Sequence, residues 1–242
     1  MSDPSPLPDE SSEPSPSEFA ASARVLGTAL SGSAGLVGVS GIVLLLIVWH
    51  HRFAATQLHL VRPGWELFGW VGLNIVCLLI VPVALIKLGT KDRLADYGLT
   101  LGDWRVWLRH AVVYLAVVLP VIAVASRFPA FRQYYPMFDL ARQHKALLLP
   151  WELAYGAYFF AWEFFFRGYL LQGLRRRFGP AAIVVQMVPF VMMHFGKVEA
   201  EAIASVIAGL LLGVTAYRSR SIVGCWLIHW ICAALMDVLA MV

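Results

Sequence analysis

The stretch Tyr158-Phe159-Phe160-Ala161-Trp162-Glu163-Phe164-Phe165-Phe166-Arg167-Gly168 runs on through residue 174 into Arg175-Arg176-Arg177, and its reading decides the fold. It is apolar enough and long enough to sit in a bilayer, where a span takes about 20 residues, yet it carries Glu163 and Arg167 in its middle. An ionisable residue inside a span is costly and is by default a functional-site candidate with a partner. Glu163 and Arg167 stand four apart, on one helical face, so they can pair. Two more intrusions follow, His194 and His229, each on its own apolar segment. One carboxylate and two imidazoles on three separate spans form the candidate site.

Composition agrees. Of 242 residues, 60% are hydrophobic and 14% charged, against about 25% charged in soluble domains. The mean hydropathy is +0.71. The chain reads as an all-α polytopic membrane protein of about seven transmembrane helices. The net charge of +4 is a topology signal rather than a nucleic-acid footprint, since no basic stripe is interleaved with exposed aromatics. The three cysteines, Cys77, Cys225 and Cys232, fall inside expected spans and show no C-x-x-C spacing, so redox and disulfide roles are set aside.

Working outward, residues 1–20 are rich in Pro, Ser and acid and read as a disordered cytoplasmic tail, followed by N-terminal membrane helices over 25–90. Spans are expected near 34–49, ending on His50, His51 and Arg52, and near 66–88. The basic, aromatic stretch 91–111 reads as an amphipathic segment on the membrane surface. Further spans follow near 110–126, 150–174, 180–195, 202–217 and 221–242. The loop from Arg127 to Lys145 reads as a plain interfacial loop, with a lid over a cavity as the alternative its length allows. Ser205, Gly209 and Gly213, four apart, form a small-residue ridge for close helix packing. Lys and Arg cluster after the second, fourth and sixth spans (Lys87 to Arg109, Arg175 to Arg177, Arg218 and Arg220). The positive-inside rule then puts the N-terminus in the cytoplasm.

An α-helix rises about 1.5 Å per residue. Counted from the basic ends, Glu163, His194 and His229 lie roughly 18, 21 and 12 Å into a core of about 30 Å. They can share one layer. A carboxylate with two imidazoles suits hydrolysis: the carboxylate takes a proton from water, and the imidazoles bind that water or the developing oxyanion. Zinc, with His194 and His229 as ligands, is the other option, although no H-E-x-x-H occurs. The plain alternative is a Glu163–Arg167 pair that only fixes packing.

At these residues the chain resembles the CAAX-processing and bacteriocin-processing (CPBP, or Abi) family of intramembrane endopeptidases. The family's E-E-x-x-x-R motif, often continued as F-R-G, reads here Trp162-Glu163-Phe164-Phe165-Phe166-Arg167-Gly168. F-x-x-x-H is Phe190 to His194. The G-K-P and glutamate that commonly follow are met by Gly196, Lys197 and Glu201, with Val198 for proline. The third motif, H-x-x-x-N or H-x-x-x-D, has His229 with Ala233 in the fourth place. The run from Arg218 to His229 and the Asp96-Tyr97-Gly98-Leu99 stretch are also similar. The resemblance spans about residues 93–239 and implies that 91–242 is a protease core in a bacterial inner membrane. Its partners would be the lipid bilayer and a membrane-associated protein or peptide substrate, with no nucleic acid. It implies catalytic roles for Glu163, Arg167, His194 and His229, with Asp237, Glu201 and Lys197 in support, and no certain cofactor beyond the zinc option. Trp162 stands where the family has its first glutamate, and Ala233 where it has an amide or acid. A non-catalytic scaffold or immunity-type protein that binds a membrane peptide is therefore the alternative. A transporter is disfavoured because the first three spans offer little polarity beyond Asn74.

Overall fold

A computed structural model describes residues 16–57 and 64–242, and every regular element in them is helical. In chain order these are α1 (Pro16–Leu30), α2 (Gly32–Gln57), α3 (Glu66–Ile75), α4 (Val81–Gly89), α5 (Trp104–Ala125), α6 (Pro129–Tyr134) and α7 (Leu140–Gln143). Then come α8 (Leu148–Glu163), α9 (Leu171–Phe178), α10 (Ala182–Met192), α11 (Glu199–Ser219) and α12 (Val223–Ala240). A π-helical turn at Val76–Ile80 joins α3 to α4, and a second at Phe164–Leu170 joins α8 to α9. The helix α1 begins at Pro16, inside the stretch expected to be a disordered tail; residues 1–15 lie outside the described residues. At the end of the first span His50 is exposed, while the side chains of His51 and Arg52 lie outside the described residues.

Among the described residues, five helices are long and apolar enough to cross a membrane: Gly32–His50, Glu66–Gly89, Trp104–Ala125, Glu199–Ser219 and Val223–Ala240. The chain is an integral membrane protein. The two remaining expected spans are those nearest the site. The one over 150–174 is present as α8, the π segment and α9 in unbroken succession, but its charges and aromatics lower its hydropathy. Pro150 lies in the first turn of α8, where the backbone N–H has no intrahelical acceptor anyway. The one over 180–195 is α10, only 11 residues long and hence about 16 Å. It turns back halfway through a core of about 30 Å. His194 consequently sits on a turn, with Gly196 at φ 86° and α11 returning alongside.

The central element is the α8–π–α9 rod. All residues from 161 to 174 are buried, enclosed by α2, α3, α10, α11 and α12. Without a hydrophobic drive between helices in lipid, such packing relies on close contact and interhelical hydrogen bonds. Aromatic rings at helical spacing supply much of the contact. Trp151, Tyr155, Tyr158, Trp162 and Phe166 form a ladder along one face, with successive centroids 4.9, 5.6, 5.5 and 4.9 Å apart. Small residues supply the rest. A Cβ on Gly168 would stand 2.5 Å from the Tyr97 carbonyl oxygen, so only glycine admits that backbone. The Gly209 and Gly213 ridge lies against Met187, Phe190, Gln186 and Ile183 of α10, as its spacing predicted.

The stretch 91–111 resolves differently from a single surface segment. Residues 104–111 already belong to the α5 span. Residues 98–103 dock onto the α11–α12 turn: Ile222 N–H donates to Gly98 O at 3.1 Å, Asp103 N–H to Ser219 O at 2.8 Å and Ser221 Oγ to Thr100 O at 2.6 Å. Backbone pairing to a neighbour outweighs the amphipathic pattern, because buried backbone groups need partners.

Candidate active site

Glu163 closes α8 and Arg167 lies in the π segment that follows; both side chains are fully buried. Arg167 Nη1 donates to Glu163 Oε1 at 3.2 Å, and the guanidinium lies 3.9 Å from the Phe190 ring centroid, a cation–π contact strengthened by desolvation. From α12, His229 Nδ1 approaches the same Oε1 at 2.6 Å. A carboxylate oxygen already accepting from Arg167 accepts again, so His229 carries its proton on Nδ1 and leaves Nε2 free. His194, 4% exposed, places Nδ1 2.8 Å from Phe190 O. A carbonyl only accepts, so Nδ1 is again the protonated nitrogen. The two imidazoles lie nearly parallel, 16° apart, with centroids separated by 6.4 Å.

Both imidazoles line one small cavity, with Trp162 and Lys197 on the same wall. Its volume of about 30 Å³ takes one or two water molecules. Tyr134 and Met137 of the 127–147 segment close it from one side and Tyr155, Tyr158 and Phe159 from another. The segment is anchored by buried Tyr135 and Phe138, and by Arg142, whose guanidinium donates to the carbonyls of Arg132 and Tyr135. It covers the cavity rather than merely linking two helices. Lys197 Nζ is held by Glu201 Oε1 at 2.6 Å, and Glu201 Oε2 accepts from Tyr135 Oη at 2.5 Å. Tyr135, desolvated and facing the Glu201 carboxylate, has its phenol pushed well above the ordinary range; it remains the donor.

Of the expected residues, the fold brings Glu163, Arg167, His194, His229 and Lys197 together, with Glu201 just behind. Glu163 does not line the cavity. It stands behind His229, because a side chain one residue on from Trp162 is rotated by about 100° around the helix. Trp162 takes the cavity wall, and its buried Nε1 has no partner among the described residues. Asp237 lies apart from the cavity: its Oδ2 accepts from Trp151 Nε1 at 3.0 Å. Beside it is buried Glu152, an acid in the apolar run of α8 that the sequence reading passed over although the signal, a charge within a span, was there. Tyr134, Met137 and Tyr155 carried no such signal. Glu163 Oε1 accepts from both Arg167 and His229, and no group of three or more His, Cys, Asp or Glu placed to hold a metal occurs among the described residues.

Residues 145–235 match the family model described as type II CAAX prenyl endopeptidase Rce1-like. No curated protein and no solved structure matches the chain. The matched segment runs from the start of α8 through both imidazoles, so the residues that the fold draws together are those the family model covers. Over that segment, the chain is similar to the CPBP family of CAAX-type intramembrane proteases, the family its motifs resemble.

Proposed function

We propose that the protein is an intramembrane endopeptidase that hydrolyses peptide bonds of membrane-associated proteins or peptides without a metal, using His229 backed by Glu163. The observation carrying this reading is the 2.6 Å bond between His229 Nδ1 and Glu163 Oε1 beside a cavity of water size. A carboxylate at Nδ1 fixes the tautomer and stabilises the imidazolium that forms. Nε2 of His229 takes a proton from water as its oxygen attacks the carbonyl carbon. The same proton then passes to the leaving amide nitrogen as the C–N bond breaks. His194 Nε2 accepts the second hydrogen of the water, and Lys197 with the Trp162 indole N–H supplies donors for the oxyanion. Arg167 holds Glu163 in place. The cavity admits water but no peptide, so the 127–147 cover moves to let substrate in. The reading places the chain in a bacterial inner membrane with its basic loops and N-terminus in the cytoplasm.

A second reading has its own observation. The indole of Trp162 fills the wall where the family's first glutamate would face water, and Ala233 offers no side-chain donor or acceptor. A protein that binds a membrane peptide in the same fold without cutting it would look like this.

Cleavage of a membrane-peptide library by the full chain in detergent separates the two. The protease reading expects turnover that survives EDTA and falls at least about 100-fold in His229→Ala, with a similar fall in Glu163→Ala, as loss of a general base or its support does. Turnover unchanged in His229→Ala sinks it. No turnover in the native chain but turnover in Trp162→Glu establishes the binding protein instead.

A further inference from the structure

A second, larger cavity of about 400 Å³ opens at the end of the bundle where Lys and Arg cluster, away from the candidate active site. Its walls include Gln172, Arg175 and Arg176 of α9, Tyr217 near the end of α11, and Arg220 just beyond it. The volume falls within the about 300–1,000 Å³ of small-ligand sites. Gln172 organises it. Its Nε2 donates to the Ala216 carbonyl at 2.9 Å, which fixes the amide so that Oε1 faces the arginines. Oε1 then accepts from Arg175 Nη1 at 3.4 Å and from Arg220 Nη1 at 3.3 Å. Arg175 also donates to Tyr217 O at 2.8 Å and stacks 3.7 Å from the Tyr217 ring. Two guanidinium groups thus converge on one neutral oxygen.

The two carboxylates on the same wall do not neutralise them. Asp92 is taken by Arg176 Nη1 at 2.7 Å and by Tyr97 Oη at 3.1 Å. Asp96 is taken by Arg93, through its backbone N–H at 2.9 Å and its guanidinium at 3.5 Å. Like charges held together without a counter-charge are unfavourable, and a bound anion removes that cost. Arg220 also occupies the left-handed region, at φ 60°, where no other non-glycine residue among those described is found.

We propose that this cavity binds a phosphate ester through Arg175 and Arg220, the anion being the headgroup phosphate of an anionic lipid or a free phosphate. Basic pockets between membrane helices at the interface suit lipid headgroups, and the planar guanidinium fork matches phosphate oxygens. The site does not depend on the proposed peptidase chemistry.

Binding is measured on the purified full chain in neutral detergent by ligand-dependent melting shifts. The ligands are short-chain phosphatidic acid, phosphatidylglycerol, phosphatidylcholine and, separately, inorganic phosphate. Arg220→Asn removes the charge while keeping a residue that tolerates the left-handed backbone. Gln172→Glu places a fixed negative charge between the two arginines. Arg105→Gln, an exposed arginine on α5, is the control for net charge. The anionic lipids are expected to bind the native chain at least about tenfold more tightly than phosphatidylcholine, with Kd weakened about tenfold or more in Arg220→Asn and in Gln172→Glu and unchanged in Arg105→Gln; tenfold corresponds to about 1.4 kcal/mol. Inorganic phosphate binding with the same variant pattern supports the site and assigns it to soluble phosphate. Equal binding of phosphatidylcholine, or equal weakening by Arg105→Gln, overturns the proposal, and Gln172→Glu decides the case if Arg220→Asn fails to fold.

Discussion

The α5 helix and the α8–π–α9 rod are both helices of a membrane protein, and they are built on opposite rules. Along α5, Val112, Val113, Val117, Val121 and Val124 are all 60% or more exposed. That surface is available to lipid, and its side chains are free of charge. Along the rod, everything from residue 161 to 174 is enclosed by protein, and there Glu163 pairs with Arg167 and His229 while Gln172 donates to the Ala216 carbonyl. Burial in protein, rather than exposure to hydrocarbon, is what permits polar chemistry at membrane depth. The same difference explains why hydropathy marks α5 and passes over the rod.

The sharpest way to test that contrast is to break the buried pair. Arg167→Ala leaves Glu163 without its cation in a fully buried site. A loss of about 3–5 kcal/mol is expected, read as a fall in melting temperature in detergent. Val117→Ala on α5 is expected to stay within about 0.5 kcal/mol. The double change Glu163→Gln with Arg167→Met replaces the pair by neutral groups of similar size and should recover much of the loss. If Arg167→Ala costs no more than Val117→Ala, the rod is not the polar core described.

A smaller effect comes from glycine. Gly168→Ala drives a methyl into the Tyr97 carbonyl and is expected to cost about 1–3 kcal/mol, as overpacking does. Gly72→Ala in α3, where a Cβ meets nothing within 4 Å, is expected to be neutral or stabilising by up to about 1 kcal/mol. Equal melting temperatures for the two variants would remove the packing argument for Gly168.

The smallest effect lies where a surface loop meets the rod. Asp96 caps the turn that brings the Tyr97 carbonyl against Gly168. Its acceptance of the Arg93 backbone N–H, helped by the Arg93 guanidinium, holds its carboxyl below the ordinary 3.8. A carboxylate lowered on folding stabilises the protein above its ordinary value and ceases to do so as pH falls through the lowered one. Asp96→Asn should therefore cost under about 1 kcal/mol near neutral pH, since the group is partly exposed to solvent. The gap to the native chain should close in strong acid. A gap that widens on acidification would show that the carboxylate contributes nothing.

Much of the site was legible in the residues, for a stated reason. Glu163, Arg167, His194 and His229 stand out because charge and imidazole are rare in apolar runs, and the spacing of four already pairs Glu163 with Arg167. What sequence could not give was direction. Glu163 was expected to act as the base or to support it, and it bonds to His229 and Arg167. Asp237, two turns from His229, bonds to Trp151, a partner 86 residues away that no periodicity reveals. The expected span at 180–195 shortens to the 11 residues of α10 because the chain turns over residues 193–196, a choice set by the return of α11 against α10. Tyr134 and Met137 reach the cavity from a loop whose pattern says only that it is long.

By itself, the sequence determined that this is a helical membrane protein with a carboxylate, an arginine and two histidines at similar depth. Composition, helical periodicity and the cost of burying charge are local properties that a single chain displays. Only the tertiary structure decided which of these groups meets water, which stands behind, and that Trp162 rather than Glu163 forms the cavity wall. Those outcomes depend on the rotation of one helix against five neighbours and on a π segment beginning at Phe164. They are fixed by packing between residues far apart in the chain, where local pattern has no reach.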